Sequence, residues 1–126
     1  MSKRPVEPND LDQLALEYVA RESVRRYGPP SDDLPAKLRR NVRRNFTVSV
    51  PLDQLTSLIH HYKAMYAYAA SVLNQHMKPS LPGKFADWSH IDIPTYNATV
   101  QRAYKNEPAS IVQTIVNYAI YYEYLR

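Results

Sequence analysis

Five cations carry the only concentrated chemistry in this sequence: Lys37, Arg39, Arg40, Arg43 and Arg44, within the stretch LPAKLRRNVRRNF from Leu34 to Phe46. Turned through about 100° per residue, they fall along one continuous arc, while Leu34, Leu38, Val42 and Phe46 fill the opposite one. A basic amphipathic helix follows. Pro35 suits its first turn, where the missing N–H removes no intrahelical bond, and Ser31, Asp32 and Asp33 just before it offer capping oxygens and favourable charge at the positive dipole end. Four of the five cations are arginine, whose planar fork pairs phosphate through two parallel bonds, and no acid stands at i±3 or i±4 inside the stretch to neutralise them. The pattern points to a polyanion-facing surface. A membrane-surface helix and a merely solvated face are the alternatives.

Charge is segregated along the chain as well as around this helix. The stretch sums to +5, whereas residues 1–33 hold five basic and seven acidic side chains and residues 47–126 hold six basic and five acidic, for a total of +4. Outside the arc the protein is nearly neutral. Arg25 and Arg26 stand one short loop before it and extend the same surface, although cations near a helix C-terminus also have a dipole role.

Catalytic patterns are missing. The histidines are His60, His61, His76 and His90, and none has a ligating partner at i+3 or i+4; no glycine-rich phosphate loop, GxSxG or HExxH is present. No metal, no cofactor and no enzymatic activity are expected. With no cysteine in the chain, disulfides and thiol chemistry are excluded. The longest apolar-rich segments are broken by Asn, Gln, Lys and Tyr, so no membrane span is expected, and Met1 to Asn9 reads as an exposed polar arm rather than a secretory leader.

The elements that must position the arc are all helical. Asn9 or Asp10 caps a first helix running to about Tyr27, with Leu11, Leu14 and Tyr18 on its stripe and Leu16, Val19 and Ala20 widening it. Gly28, Pro29 and Pro30 stop that helix. After the basic helix, Thr47 to Val50 reads as an extended hinge. Pro51 then opens a helix of about 26 residues with Leu52, Leu55, Ile59, Tyr62, Tyr66, Ala69, Leu73 and His76 at alternating spacings of three and four. Tyr62, Tyr66 and Tyr68 near Lys63 could stack on bases, but the placement of Tyr62 and Tyr66 on the stripe makes core packing the better reading. Lys78 to His90 is a loop whose Phe85 and Trp88 pin it to the bundle. Asp92 caps a shorter helix bearing Tyr96, Val100, Ala103 and Tyr104. A last helix, Pro108 to Leu125, is apolar nearly all round, which leaves Ile120, Tyr121 and Tyr124 facing away from its main stripe as candidates for a subunit interface. The expected fold is all-α, with an arm of two helices over residues 1–48 and a helical bundle carrying subunit contacts over 49–126.

A polar arm, a first helix ending in RESVRRYGPP, the basic helix, the hinge TVSVPLDQ and a tyrosine-rich half closing on NYAIYYEYLR together resemble the major capsid proteins of filamentous and rod-shaped archaeal viruses with linear double-stranded DNA, the lipothrixvirus-like branch most closely. The likeness spans most of the chain and rests on architecture, size and composition. It implies a virion protein, assembled in the host cytoplasm into a helical nucleocapsid, whose N-terminal helices wrap double-stranded DNA held in the A-form. Carried onto this sequence, the phosphate contacts are Arg25, Arg26, Lys37, Arg39, Arg40, Arg43 and Arg44. Subunits would pair as a homodimer or as a heterodimer with a related capsid protein, in a filament close to a membrane envelope but not inserted in it. A small helical accessory or regulatory protein that binds nucleic acid is the alternative.

Residues 28–33 join the two N-terminal helices through a breaker-rich loop beside a self-repelling charge cluster. Limited proteolysis of the nucleic-acid-free protein is therefore expected to cut before about Val50, and full resistance from Gly28 to Ser49 would count against a wrapping role.

Overall fold

The computed structural model describes residues 3, 5–7, 9–23, 34–77 and 90–125. Among the described residues five α-helices carry the fold: α1 (Asp10–Ser23), α2 (Leu34–Asn45), α3 (Leu52–Val72), α4 (Ile93–Ala103) and α5 (Ala109–Ile120). A 3-10 turn, Leu73–His76, finishes α3, and a π turn, Tyr121–Leu125, finishes α5. Among the described residues there is no strand; Met77 and Ile91 form an isolated antiparallel bridge. The protein is all-α, as its periodicities predict. It divides into two compact units, Met1–Ala64 and Met65–Arg126.

In the first unit, α1 starts where Asn9 adopts a left-handed φ of 71°, a conformation that asparagine tolerates better than most residues. Its carbonyl accepts the first helical bond from the Gln13 amide at 2.9 Å, and the Asp10 carboxylate accepts from the Glu7 amide at 2.7 Å, which fixes the entry of the chain. The face that α1 buries differs from the expected stripe. Ala15, Leu16, Val19 and Ala20 are the buried residues, while Leu11, Leu14 and Tyr18 are only half-buried. The phenol of Tyr18 must reach a polar partner, and two alanines let a neighbouring backbone come close, so the flank assigned to widening the stripe is its centre.

Helix α2 buries Leu34, Leu38 and Val42, and Phe46, just beyond its end, continues the row at 3% exposure. At roughly 2 kcal/mol for each large apolar side chain, this row holds a helix whose other arc repels itself. Thr47 to Pro51 is irregular, with Val50 tucked in and Val48 exposed. Pro51 precedes α3 rather than forming its first residue, its carbonyl accepting from the Leu55 amide at 3.3 Å. On the part of α3 in this unit, Leu55, Ile59 and Tyr62 are buried. Tyr62 donates its hydroxyl to Asp12 Oδ1 at 2.6 Å, which ties α3 to α1. Leu52, expected at the head of the stripe, is 42% exposed.

The second unit packs the rest of α3 with α4 and α5. Met65, Tyr66, Ala69, Val72 and Leu73 are buried from α3 and its 3-10 turn, Tyr96 and Val100 from α4, and Ile111, Val112, Ile115, Val116, Ala119 and Ile120 from α5. Asp92 caps α4 as expected, accepting from the Thr95 amide at 3.4 Å and the Thr95 hydroxyl at 2.9 Å. The helix ends at Ala103, which is exposed, rather than near Asn106. Gln101 causes the early stop: its Nε2 donates to the Tyr104 and Glu107 carbonyls at 3.1 and 2.9 Å, closing the turn into α5. Phe85 and Trp88, expected to pin the loop from Lys78, lie outside the described residues, as do the breakers Gly28 to Pro30 and the capping residues Ser31 to Asp33.

Tyr96 is fully buried at the centre of this unit, donates its hydroxyl to the Ala69 carbonyl and stacks on His76 with ring centroids 5.3 Å apart. Burial above all, then the nearby Tyr66 and Glu123, pushes its phenol far above the ordinary value. A raised phenol contributes fully below the unfolded pKa of about 10. As pH climbs beyond that point the unfolded chain loses this proton while the folded chain keeps it, so stability falls. Tyr96→Phe is expected to cost about 1 kcal/mol in urea denaturation at pH 7, through the lost bond to Ala69, and to make the decline in stability above pH 10 shallower than in the unsubstituted protein.

Candidate nucleic-acid interface

The arc forms on α2 because the helix has one way to satisfy its sequence: with Leu34, Leu38, Val42 and Phe46 inward, the cations must point out. Lys37, Arg40, Arg43 and Arg44 are exposed. Arg39 is half-buried, and its Nε is shut off from solvent with no hydrogen-bond partner. Among the described residues no carboxylate lies within salt-bridge range of Arg39, Arg40, Arg43 or Arg44. Arg25 and Arg26 lie outside the described residues.

The spacing suits a polyphosphate. Residues 37 to 44 cover about 10 Å of helix axis at about 1.5 Å per residue, so five cations provide about one charge per 2 Å. A duplex presents one phosphate charge per about 1.7 Å of axis when both strands are counted, and one per about 3.4 Å along either strand. The arc therefore carries at least as much charge per length as the single strand that one helix face can meet. An interface of this composition reads backbone charge, since lysine and exposed arginine can neutralise phosphates of any sequence.

A polar seam sets the rotation of α2 about its own axis. Asn41 donates Nδ2 to the Tyr18 hydroxyl at 2.8 Å, across to α1. Asn45 in turn donates Nδ2 to Asn41 Oδ1 at 2.8 Å and to the Asn41 carbonyl at 3.1 Å. These half-buried amides are the side chains of α2 suited to the asparagine–adenine pairing, and both spend donors within the protein. Sequence reasoning missed them. The available signal was two asparagines at i, i+4 on the border between the charged and apolar arcs.

Helix α1 adds little positive potential among its described residues. Arg21 pairs with Glu17 at 2.6 Å in an exposed i, i+4 bridge, and Asp12 is held by Tyr62. Of these two helices, α2 therefore carries the basic surface among the described residues.

At the other end of the chain, the expectation for Ile120 is overturned: it is fully buried. Helix α5 buries positions 111, 112, 115, 116, 119 and 120, a stripe two residues wide that takes Ile120 into the core. Tyr121 is 50% exposed and meets Tyr122 edge-on at 5.0 Å, while Tyr122 lies 6.1 Å from Tyr118. Tyr124 is half-buried, with its hydroxyl 2.7 Å from His90 Nδ1. The π turn separates the two residues, leaving Tyr121 outward and anchoring Tyr124. Tyr66 likewise donates to Glu123 Oε1 at 2.8 Å.

Elsewhere, a groove of about 310 Å³ between α4 and α5 is lined by Asn97, Ala98, Gln101, Ala109, Val112 and Gln113, a set without a titratable or nucleophilic side chain. His60 and His61 are exposed on α3, and among the described residues no three His, Asp or Glu side chains come together as a metal site. No helix among the described residues is long and apolar enough to cross a membrane.

Comparison with protein-family models, with curated proteins and with solved structures gave no match to this chain.

Proposed function

We propose that this protein is a structural nucleoprotein that coats double-stranded DNA without sequence preference and polymerises into a helical filament, as the major capsid protein of a virion. The observation that carries the reading is α2: five cations of a single sign, four of them exposed, at a line density no lower than that of the phosphates along one duplex strand, above a buried apolar row. Lys37, Arg39, Arg40, Arg43 and Arg44 are the phosphate contacts, and the internally committed Asn41 and Asn45 suit a coat that must accept every sequence. Subunits associate as a homodimer or with a related chain, and Tyr121 is the residue offered to a neighbour. A half-exposed tyrosine at a helix end supplies a large, stiff, amphipathic contact of the kind that dominates interfaces. Catalysis has no part in this role.

Binding to duplex should release counterions, with log affinity falling linearly against log salt at a slope near −0.9 per phosphate neutralised. Five contacts predict a slope of about −4 to −5 per subunit, or roughly twice that for a dimer binding as one unit. Replacing Arg40 and Arg44 with alanine should reduce the slope by about 2 per subunit and weaken native and scrambled duplexes equally. A slope near zero would sink the nucleic-acid reading; a steep slope with strong preference for one sequence would favour an accessory or regulatory protein.

Assembly provides an independent check. Tyr121→Ser removes an exposed contact while leaving the core untouched, so it should raise the protein concentration needed for filaments by about tenfold or more, as expected for an interface anchor worth about 1.4 to 2 kcal/mol. Filaments that form at an unchanged threshold would return Tyr121 to the ordinary surface.

A further inference from the structure

Arg39 stands apart from the other cations of α2. Lys37, Arg40, Arg43 and Arg44 are exposed, whereas Arg39 is half-buried, and its Nε–H is closed to solvent with no hydrogen-bond partner among the described residues. A buried donor without a partner costs free energy that a lysine or methionine at the same position, with a carbon in place of Nε, would not incur. The cost is sharper for a charged group, whose desolvation is not compensated by an acid: no carboxylate lies within salt-bridge range of Arg39 among the described residues. Lysine would supply the same formal charge on an unbranched stem that leaves no internal N–H behind. Nothing in the folding of α2 asks for arginine here, because Leu34, Leu38, Val42 and Phe46 already supply the buried row.

From this we infer that Arg39 is a loaded phosphate ligand: its Nε–H is held unsatisfied in the free protein and is released when the side chain swings out to bind a phosphodiester. An arginine offers two adjacent donors, Nε–H and one Nη–H, along the side of its fork, and a phosphate presents two oxygens that accept them in parallel. In the free protein one of those donors is wasted. In the complex both are used, so the penalty stored on folding is recovered on binding. Arg43 stands one turn further along the same side of α2 and is exposed, so it gains the phosphate contact without any stored cost.

This inference rests on the proposed role of α2 in binding duplex, but its signature is separate: opposite effects of one substitution on stability and on affinity. Arg39→Met keeps the apolar length of the side chain and removes the stranded donor. The nucleic-acid-free variant is expected to melt about 3 to 5 °C above the unsubstituted protein. It should bind a 40-base-pair duplex about tenfold more weakly, with the salt slope reduced by about 0.9. Arg43→Met, the control on the same side, should lose affinity similarly with no gain in melting temperature. Arg39→Lys, which keeps the charge but not the side-on pair, should also melt higher while recovering most of the salt slope and less of the affinity. Should Arg39→Met melt at or below the unsubstituted protein with its helical circular dichroism intact, no cost is stored and the inference fails. A variant that melts higher but binds with unchanged affinity would overturn it equally, because the cost would then have no connection to the ligand. If the unsubstituted protein binds duplex with no salt dependence, the phosphate role falls together with the proposed function, whatever the melting temperatures are.

Discussion

Burial of one face of α2 is the constraint on which the candidate interface depends. Leu34, Leu38, Val42 and Phe46 recur every four residues, and a helix that hides them must turn the residues between them outward. Hydrophobic burial therefore orients Arg40, Arg43 and Arg44, near which no carboxylate lies within salt-bridge range among the described residues. Oriented this way, they require little of the rest of the fold: α1 supplies a wall and a hydroxyl, and α3 braces α1 through Tyr62 and Asp12. The same arrangement explains why so much like charge is tolerated. Repulsion between exposed guanidiniums is screened by water and salt over about 8 to 10 Å, while the apolar row beneath loses nothing to salt.

Tyrosine takes over the work that other folds give to cysteine and glycine. With eleven tyrosines, no cysteine and two glycines in the chain, the phenol rings fill space while their hydroxyls make specific long-range bonds: Tyr18 to Asn41, Tyr62 to Asp12, Tyr66 to Glu123, Tyr96 to the Ala69 carbonyl and Tyr124 to His90. Each bond reaches an element distant in sequence. A core built only of leucine and valine can slide by a rotamer with modest loss, whereas a phenol that has lost its partner leaves a buried polar group. Directional bonds of this kind select one packing of helices whose apolar stripes would otherwise admit several.

Much of this was legible in the sequence because it follows from periodicity. The arc and apolar row of α2, the stripe of α3 with Tyr62 and Tyr66 in the core, and the Asp92 cap were all set by spacing within one helix. What escaped depends on partners that spacing cannot reveal. Helix α1 carries apolar residues on two flanks, and which of them turned inward depended on a tyrosine needing an amide on another helix. Ile120 lay at the edge of an almost uniformly apolar helix, where a wheel has no polar side from which to take its bearing. The early stop of α4 came from Gln101 reaching six residues ahead to a carbonyl. The wheel puts Arg39 at the end of the arc, about 20° from Phe46, so its partial burial was open to sequence reasoning; the stranding of its Nε was not.

The geometry of α2 also constrains how the stretch can change over time. Swapping one cation for another leaves its layout intact, but a single inserted or deleted residue between Leu38 and Val42 would turn everything beyond it by about 100°. Val42 and Phe46 would leave the buried face, and guanidiniums would enter it. Drift in this segment is thus confined to replacement at fixed length: the arc can exchange letters but cannot lose its reading frame.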